Sequence, residues 1–81
     1  YPNPFNPSLN IDFFVEFPGV VDISVYDIMG NLVDNIVLNN FTPSGNHSVK
    51  WNAENFASGE YLVRFKIDEV VFATKMVAYI K

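Results

Sequence analysis

The 81-residue chain contains no cysteine, which excludes disulfide bonds and thiolate chemistry. A single histidine, His47, leaves too few nitrogen and sulfur ligands for a structural zinc site. No apolar run approaches the roughly 18 residues that a membrane-spanning helix needs. The sequence therefore predicts no membrane span, and a small core that neither a disulfide nor a metal reinforces.

Basic residues are also scarce. Five Lys and Arg stand against nine Asp and Glu, a net charge of −4, and the basic residues are spread from Lys50 to Lys81. Proteins that bind nucleic acid usually carry a clustered basic face. We therefore expect no nucleic-acid partner and interpret the acidity as a contribution to solubility.

No catalytic or metal-binding pattern is present. His47 is followed by Ser48, but neighbours in an alternating strand point to opposite faces, so the two do not form a nucleophile–base pair. There is no Asp-x-Asp-x-Asp-Gly calcium loop, and a small sandwich offers little cleft for paired carboxylates. We expect no enzymatic activity, no cofactor and no metal, and interpret His47 as a residue of the core or its rim.

Apolar residues are abundant: 49% of the chain is hydrophobic and 16% is aromatic, enough for the core of one small domain. The chain begins at Tyr1, without Met and without a leader pattern. We expect it to be a piece of a longer protein.

The segment Ser58–Ile67 has the clearest periodicity. After the turn pair Ser58-Gly59, apolar side chains occupy every second position: Tyr61, Val63, Phe65 and Ile67. Period-two alternation of β-branched and aromatic residues is typical of a half-buried strand. The pattern predicts a central strand whose four apolar side chains face a second layer of strands.

Alternation or apolar enrichment predicts five further strands: Asn10–Phe17, Val21–Tyr26, Leu32–Leu38, Asn46–Trp51 and Val70–Ile80. On this alternation Phe17 faces the core and Asp22 faces solvent. No segment has a helical period.

Turn and loop residues separate these strands. Pro18-Gly19 has the order that a type II turn prefers. Asp27–Asn31 and Asp68-Glu69 are predicted turns. Residues 39–45 and 52–57 are predicted loops, and Phe56 in the second loop is expected to cap the core.

Three prolines at positions 2, 4 and 7 prevent the first residues from forming a helix or a central strand. We predict an extended arm over residues 1–9 that leads in from a preceding domain. Phe5, and with it Tyr1, would dock against the body of the domain. A flexible interdomain linker is the alternative.

Many short strands separated by close turns favour a sandwich or a small barrel. We predict an all-β, two-sheet immunoglobulin-like sandwich of about seven antiparallel strands, counting the arm, with no helix. Residues 1–81 form a single domain in this prediction.

Several motifs then match one family in order: Pro2-Asn3-Pro4-Phe5-Asn6-Pro7-Ser8, Val25-Tyr26-Asp27-Ile28-Met29-Gly30, Gly45-Asn46-His47-Ser48-Val49-Lys50-Trp51, Ser58-Gly59-Glu60-Tyr61 and Thr74-Lys75-Met76. Together they resemble the type A C-terminal sorting domain of the type IX secretion system. The pattern is also similar to the immunoglobulin-like domain of the flagellar hook-capping protein. Asn31 and Glu60 depart from the sorting-domain pattern, which usually has Arg and an aliphatic residue there.

The resemblance implies a non-catalytic domain at the carboxyl terminus of an exported protein, covalently preceded by its cargo. Such a protein crosses the inner membrane of a Gram-negative bacterium by a separate leader. Outer-membrane secretion proteins then recognise the domain, which is usually cleaved, and the cargo is secreted or attached to the cell surface. The resemblance places the signal in residues 59–81, with these candidates: Gly59, Tyr61, Arg64, Lys75, Met76 and Lys81.

Two other functions fit the residues. One is a structural immunoglobulin-like module of an extracellular assembly or appendage. The other is a carbohydrate-binding module of a secreted hydrolase, which needs exposed aromatic rings. Tyr26 is a candidate for such a ring, whereas the alternation places Trp51 in the core.

Overall fold

The computed structural model describes residues 8–80, which contain six strands and no helix. The strands are β1 (Ser8–Val15), β2 (Gly19–Asp27), β3 (Leu32–Thr42), β4 (Gly45–Asn52), β5 (Gly59–Ile67) and β6 (Val70–Tyr79). The predicted all-β class is confirmed, with six strands instead of about seven in this part of the chain. The predicted arm lies outside the described residues, except that Ser8 and Leu9 belong to β1.

The strands form two antiparallel sheets. One contains β1 and β4, and the other has the order β3-β2-β5-β6. β5 pairs with β2 from Asp27↔Tyr61 to Val21↔Ile67 and with β6 on its other side. It is therefore an interior strand of the larger sheet, as its alternation predicts.

The core lies between the two sheets. Tyr61 and Val63 of β5 are buried, and Phe65 and Ile67 pack against the same cluster. The remaining buried apolar residues are Ile11, Val15, Val21, Ile23, Val25, Trp51 and Ala53. The predicted inward face of β5 is thus confirmed.

One predicted facing and one predicted exposure are wrong. Phe17 is exposed because β1 ends at Val15, before the alternation reaches it. Asp22 lies on the predicted outward face, opposite Lys66 of β5, but it is only 7% exposed. Its Oδ1 accepts a hydrogen bond from the Asn39 backbone N–H at 2.7 Å, which satisfies the buried carboxylate.

This hydrogen bond lies at a bulge beyond which β3 continues past its predicted end. The β2–β3 register shifts between the pairs Val21↔Asn40 and Ile23↔Val37. Asn39 has a φ of 50° at this irregularity, a conformation that Asn tolerates better than most residues. β3 therefore absorbs one extra residue in a bulge and continues as strand to Thr42, where a loop was predicted.

Gly19 does not form the predicted type II turn. That turn needs a positive φ at Gly19, but Gly30 and Gly45 are the described glycines with positive φ. Gly19 instead begins β2, where a Cβ would lie 2.9 Å from both Asp68 Oδ2 and Ile67 Cγ2. The adjacent Val20 N–H donates to Asp68 Oδ1 at 2.9 Å. The position has little space for a side chain, because the side chains of Ile67 and Asp68 lie directly against it.

The turn after β2 is formed as predicted. The Oδ1 atom of Asp27 accepts hydrogen bonds from the backbone N–H groups of Met29 and Asn31, each at 2.9 Å. Gly30 supplies a φ of 90°. The hydrogen bond from the Asn31 backbone is the main reason that the pKa of Asp27 lies below its ordinary value of 3.8. Hydrogen bonds from the Asn31 side chain and from the Met29 and Gly30 N–H groups lower it further.

The β5–β6 turn has φ values of 51° at Asp68 and 69° at Glu69, which is typical of a two-residue hairpin loop.

Candidate functional site

β6 is the most exposed strand of the larger sheet. Within residues 8–80 it pairs with β5 alone, so its other edge has no hydrogen-bonding neighbour. Every side chain from Val70 to Met76 is exposed. Lys75 is the one charged residue in its ten positions. An unpaired and largely apolar edge is a ready template for pairing with another chain.

The register with β5 defines the two faces of β6. Lys75 is opposite the buried Val63, and Val77 is opposite Tyr61. Directly opposed residues share a sheet face, so Lys75 and Val77 lie on the side that faces the core. Lys75 nevertheless remains exposed, which shows that the β1–β4 sheet does not extend over this part of β6.

A groove of about 400 Å³ lies between β1 and β6, above β5. We call it the β1–β6 groove and define it by Leu9, Ile11, Phe13, Phe65, Lys75 and Val77. Within the described residues β1 pairs with β4 alone, so unpaired strand edges flank the groove on both sides. This arrangement offers apolar surface and free backbone groups at the same place.

Five of the six candidate sorting residues lie on β5 and β6: Gly59, Tyr61, Arg64, Lys75 and Met76. Lys75 and Met76 are adjacent and exposed on opposite faces of β6, whereas Tyr61 is buried. Arg64 is half-buried and opposite Thr74, and Gly59 is opposite Tyr79. Lys81 lies outside the described residues.

Tyr61 belongs to an aromatic cluster around Trp51. The Tyr61 and Trp51 ring centroids are 5.3 Å apart, and Phe56 is 5.6 Å from Trp51. The Tyr61 hydroxyl donates a hydrogen bond to the carbonyl of Ala57. Phe56 thus packs over the core as predicted, and Trp51, which is 2% exposed, is a core residue rather than a carbohydrate platform.

The sequence reading missed Asp34 in this cluster. Its Oδ2 accepts a hydrogen bond from Trp51 Nε1 at 2.9 Å, which satisfies the buried indole N–H. The two residues are 17 positions apart on strands of different sheets. No spacing rule links such a pair.

Tyr26 does not present a free aromatic face. The Arg64 guanidinium carbon lies 4.4 Å from the centroid of the Tyr26 ring, and Arg64 Nη1 lies 3.4 Å from the Tyr26 hydroxyl. This is the geometry of a cation–π contact. Because the guanidinium covers the ring, nothing here favours carbohydrate stacking on Tyr26.

His47 lies at the rim of the core. It is half-buried, its ring stacks on Phe13 with centroids 5.4 Å apart, and its Nε2 donates to the carbonyl of Pro43 at 2.7 Å. These contacts explain the position of His47 without a catalytic role.

In residues 8–80 no group of three or more His, Cys, Asp or Glu side chains could hold a metal ion. The same residues contain no helix of the length and apolarity needed to cross a membrane.

The comparisons with known proteins support one assignment. The family described as the secretion system C-terminal sorting domain matches residues 1–80. No curated protein and no solved structure gave a significant match. Because the family match covers nearly the whole chain, the chain belongs to the family of secretion system C-terminal sorting domains that serve type IX secretion.

Proposed function

We propose that the chain acts without catalysis as the export signal of a cargo protein that precedes it. Outer-membrane proteins of the type IX system would recognise the folded domain and deliver the cargo to the cell surface or the medium. The observation that carries the proposal is the family match over residues 1–80.

We place the recognised surface on β6. This strand has an unpaired edge within the described residues, and its side chains are exposed over most of its length. Strand addition to such an edge gains affinity from backbone hydrogen bonds, and side chains on alternate positions supply specificity. Recognition would then need no cleft and no change in the core.

The candidate sorting residues differ in how exposed their side chains are. Lys75 and Met76 are exposed and could contact a receptor directly. Tyr61 is buried, so its role in the folded domain would be to hold β5 in position through the Trp51 cluster. Arg64 is half-buried against Tyr26 and would act mainly by fixing the outer face of β5.

A reporter fusion tests the role. Residues 1–81 are fused behind a periplasm-targeted fluorescent protein in a bacterium with a type IX system, and reporter at the cell surface is measured by protease accessibility. Deletion of residues 76–81 should abolish surface delivery while the reporter remains in the periplasm. Unchanged delivery after this deletion would refute the sorting role and leave a structural module as the better account.

A matched pair of substitutions separates recognition from folding. The chain has two methionines, Met29 in the β2–β3 turn and Met76 in β6, and they are 84% and 55% exposed. Met76→Thr should reduce surface delivery, whereas Met29→Thr should not. Both variants should keep the wild-type urea midpoint, because exposed substitutions usually change stability by less than about 0.5 kcal/mol. Equal delivery by the two variants would remove Met76 from the recognised surface.

A further inference from the structure

Lys75 lies where an apolar residue would be expected. It is on the core-facing side of β6, opposite Val63 and two positions from Val77, which packs against the core. Its side-chain ammonium forms no hydrogen bond or ion pair with any residue of 8–80, where the single ion pair joins Lys66 to Glu69. Lys75, a lining residue of the β1–β6 groove, thus has an ammonium group without a partner among the residues described.

The rest of the groove suits an extended segment. Leu9, Ile11 and Phe13 form one wall, and β6 forms the other wall with a free backbone edge. A strand that pairs with this edge would place every second side chain in the groove. One of those side chains would lie beside Lys75, and those two positions away would lie beside Ala73 and Val77.

From this geometry we propose that the β1–β6 groove binds an extended peptide segment of a partner protein through strand addition to β6. The segment carries a carboxylate that pairs with Lys75, flanked at the second position on each side by apolar residues. The proposal rests on the function proposed above and adds the chemistry of the partner. Charge complementarity selects the carboxylate, because a neutral segment would leave the Lys75 ammonium facing apolar side chains without a counter-charge.

Two other occupants of the β1–β6 groove would complement the charge of Lys75 less well. Residues 1–7 of this chain contain no Asp or Glu, so they offer no counter-charge for Lys75. A second copy of the chain would bring its own Lys75 to the same edge in an isologous pairing, which places like charges near one another. Asp12, on the β1 side of the groove, forms no ion pair with Lys75.

A lysine that points inward from an edge strand is also a device that natural proteins use against edge-to-edge aggregation. That role predicts no preference among bound segments. The test must therefore measure charge preference as well as binding.

The probes are fluorescein-labelled nine-residue peptides of sequence Val-Thr-Val-Thr-X-Thr-Val-Thr-Val, in which X is Glu, Gln or Lys. X shares a face with the four valines, because alternate residues of a strand point the same way. A composition-matched control exchanges Glu with the threonine before it, which moves the carboxylate to the other face. Binding to the 81-residue chain is measured by fluorescence anisotropy at low and high salt, and the site is located from amide chemical shifts.

With the native chain, the Glu peptide should bind about three- to tenfold more tightly than the Gln peptide, and salt should reduce the difference. The control with the displaced Glu should bind like the Gln peptide. Amide shifts should concentrate in β6. In Lys75→Met the preference should disappear, and in Lys75→Glu the Lys peptide should bind best.

Four results would overturn the proposal: equal affinity of the Glu and Gln peptides, a preference that survives in Lys75→Met, shifts concentrated on another strand, or no binding at about 1 mM. A native dimer in sedimentation velocity that dissociates in Lys75→Glu would identify a second copy as the occupant and would also overturn it. The reporter assay distinguishes this failure from that of the proposed function. If deletion of residues 76–81 abolishes delivery but the peptides show no charge preference, the sorting role stands and the carboxylate partner is wrong.

Discussion

β2 and β6 are similar in residue composition, but the side chains of β2 are mostly buried and those of β6 are mostly exposed. They have nine and ten residues, and both consist mainly of Val, Ile, Ala and aromatic residues. In β2, Val21, Ile23 and Val25 are fully buried, because the strand has a neighbour on each side and the β1–β4 sheet above it. In β6, the first seven side chains are all exposed. Burial here depends on position in the sheet, not on the hydrophobicity of the strand.

The difference suggests a division of roles. β2, β5 and the Trp51 cluster contain most of the buried apolar surface and therefore most of the stability. The exposed half of β6 contributes little to that core. It is free to carry apolar residues for binding, and we expect changes there to alter recognition more than folding.

The strongest test compares two large aromatic residues, one from each region. Trp51→Ala should destabilise the domain by about 3–5 kcal/mol, because it removes a fully buried indole and leaves Asp34 without its donor. Phe72→Ala, at a residue 72% exposed in β6, should change stability by less than about 0.5 kcal/mol. Urea unfolding should be followed by circular dichroism, since Trp51 is the one tryptophan in the chain. Similar losses in the two variants would show that β6 is part of the core.

A smaller effect is expected from a matched pair of glycines. Gly19→Ala should cost about 1–3 kcal/mol, because the new Cβ would meet Asp68 and Ile67 at 2.9 Å. Gly59→Ala, where no atom lies within 4 Å of the new Cβ, should change stability by less than about 0.5 kcal/mol. Thermal unfolding of both variants measures the contrast. A neutral Gly19→Ala would mean that the β5–β6 turn can move away from β2.

We expect the contacts on the outer face of β5 to contribute less to stability than the packing at Gly19. Arg64→Gln removes the cation–π contact with Tyr26 and should cost about 0.5–1 kcal/mol. The control is Lys66→Gln on the same face, whose exposed ion pair with Glu69 is 3.7 Å long and should be worth no more than about 0.5 kcal/mol. A cost for Lys66→Gln as large as that for Arg64→Gln would show that general charge, not the ring contact, stabilises this face.

The alternating segments could be predicted from sequence because their period is local. The inward face of β5, the buried Trp51 and the two short turns all follow from residues within a few positions of each other. The family resemblance likewise rested on ordered local motifs. For this reason the fold class and the assignment to the sorting-domain family were both accessible before the structure.

Several of the wrong predictions depend on contacts between segments distant in sequence. The buried Asp22 carboxylate accepts a hydrogen bond from Asn39, 17 residues away, at the bulge beyond which β3 continues. Space at Gly19 is limited because the side chain of Asp68 lies against it. The groove beside Lys75 exists because the smaller sheet leaves β6 uncovered, and no local pattern specifies how many strands each sheet contains.

The smallest effect on stability is expected in the turn that joins β2 to β3, at the edge of the buried region. Hydrogen bonds from Asn31 and Met29 stabilise the ionised form of Asp27 and lower its pKa below 3.8, so the folded state binds this proton less readily than the unfolded chain. The stabilisation should be fully present above pH 3.8 and should be lost as the pH falls through the lowered pKa.

Asp27→Asn should therefore be less stable than the native chain at neutral pH, and the difference should shrink below pH 3.8. Urea titrations across the acid range measure this difference, and the carboxyl carbon shift of Asp27 gives the pKa directly. A midpoint at or above 3.8, or a stability difference that persists in strong acid, would contradict the assignment of these hydrogen bonds to the charged carboxylate. Because this turn lies outside both the core and the exposed part of β6, the substitution should also leave peptide binding in the β1–β6 groove unchanged, which would separate stability from recognition.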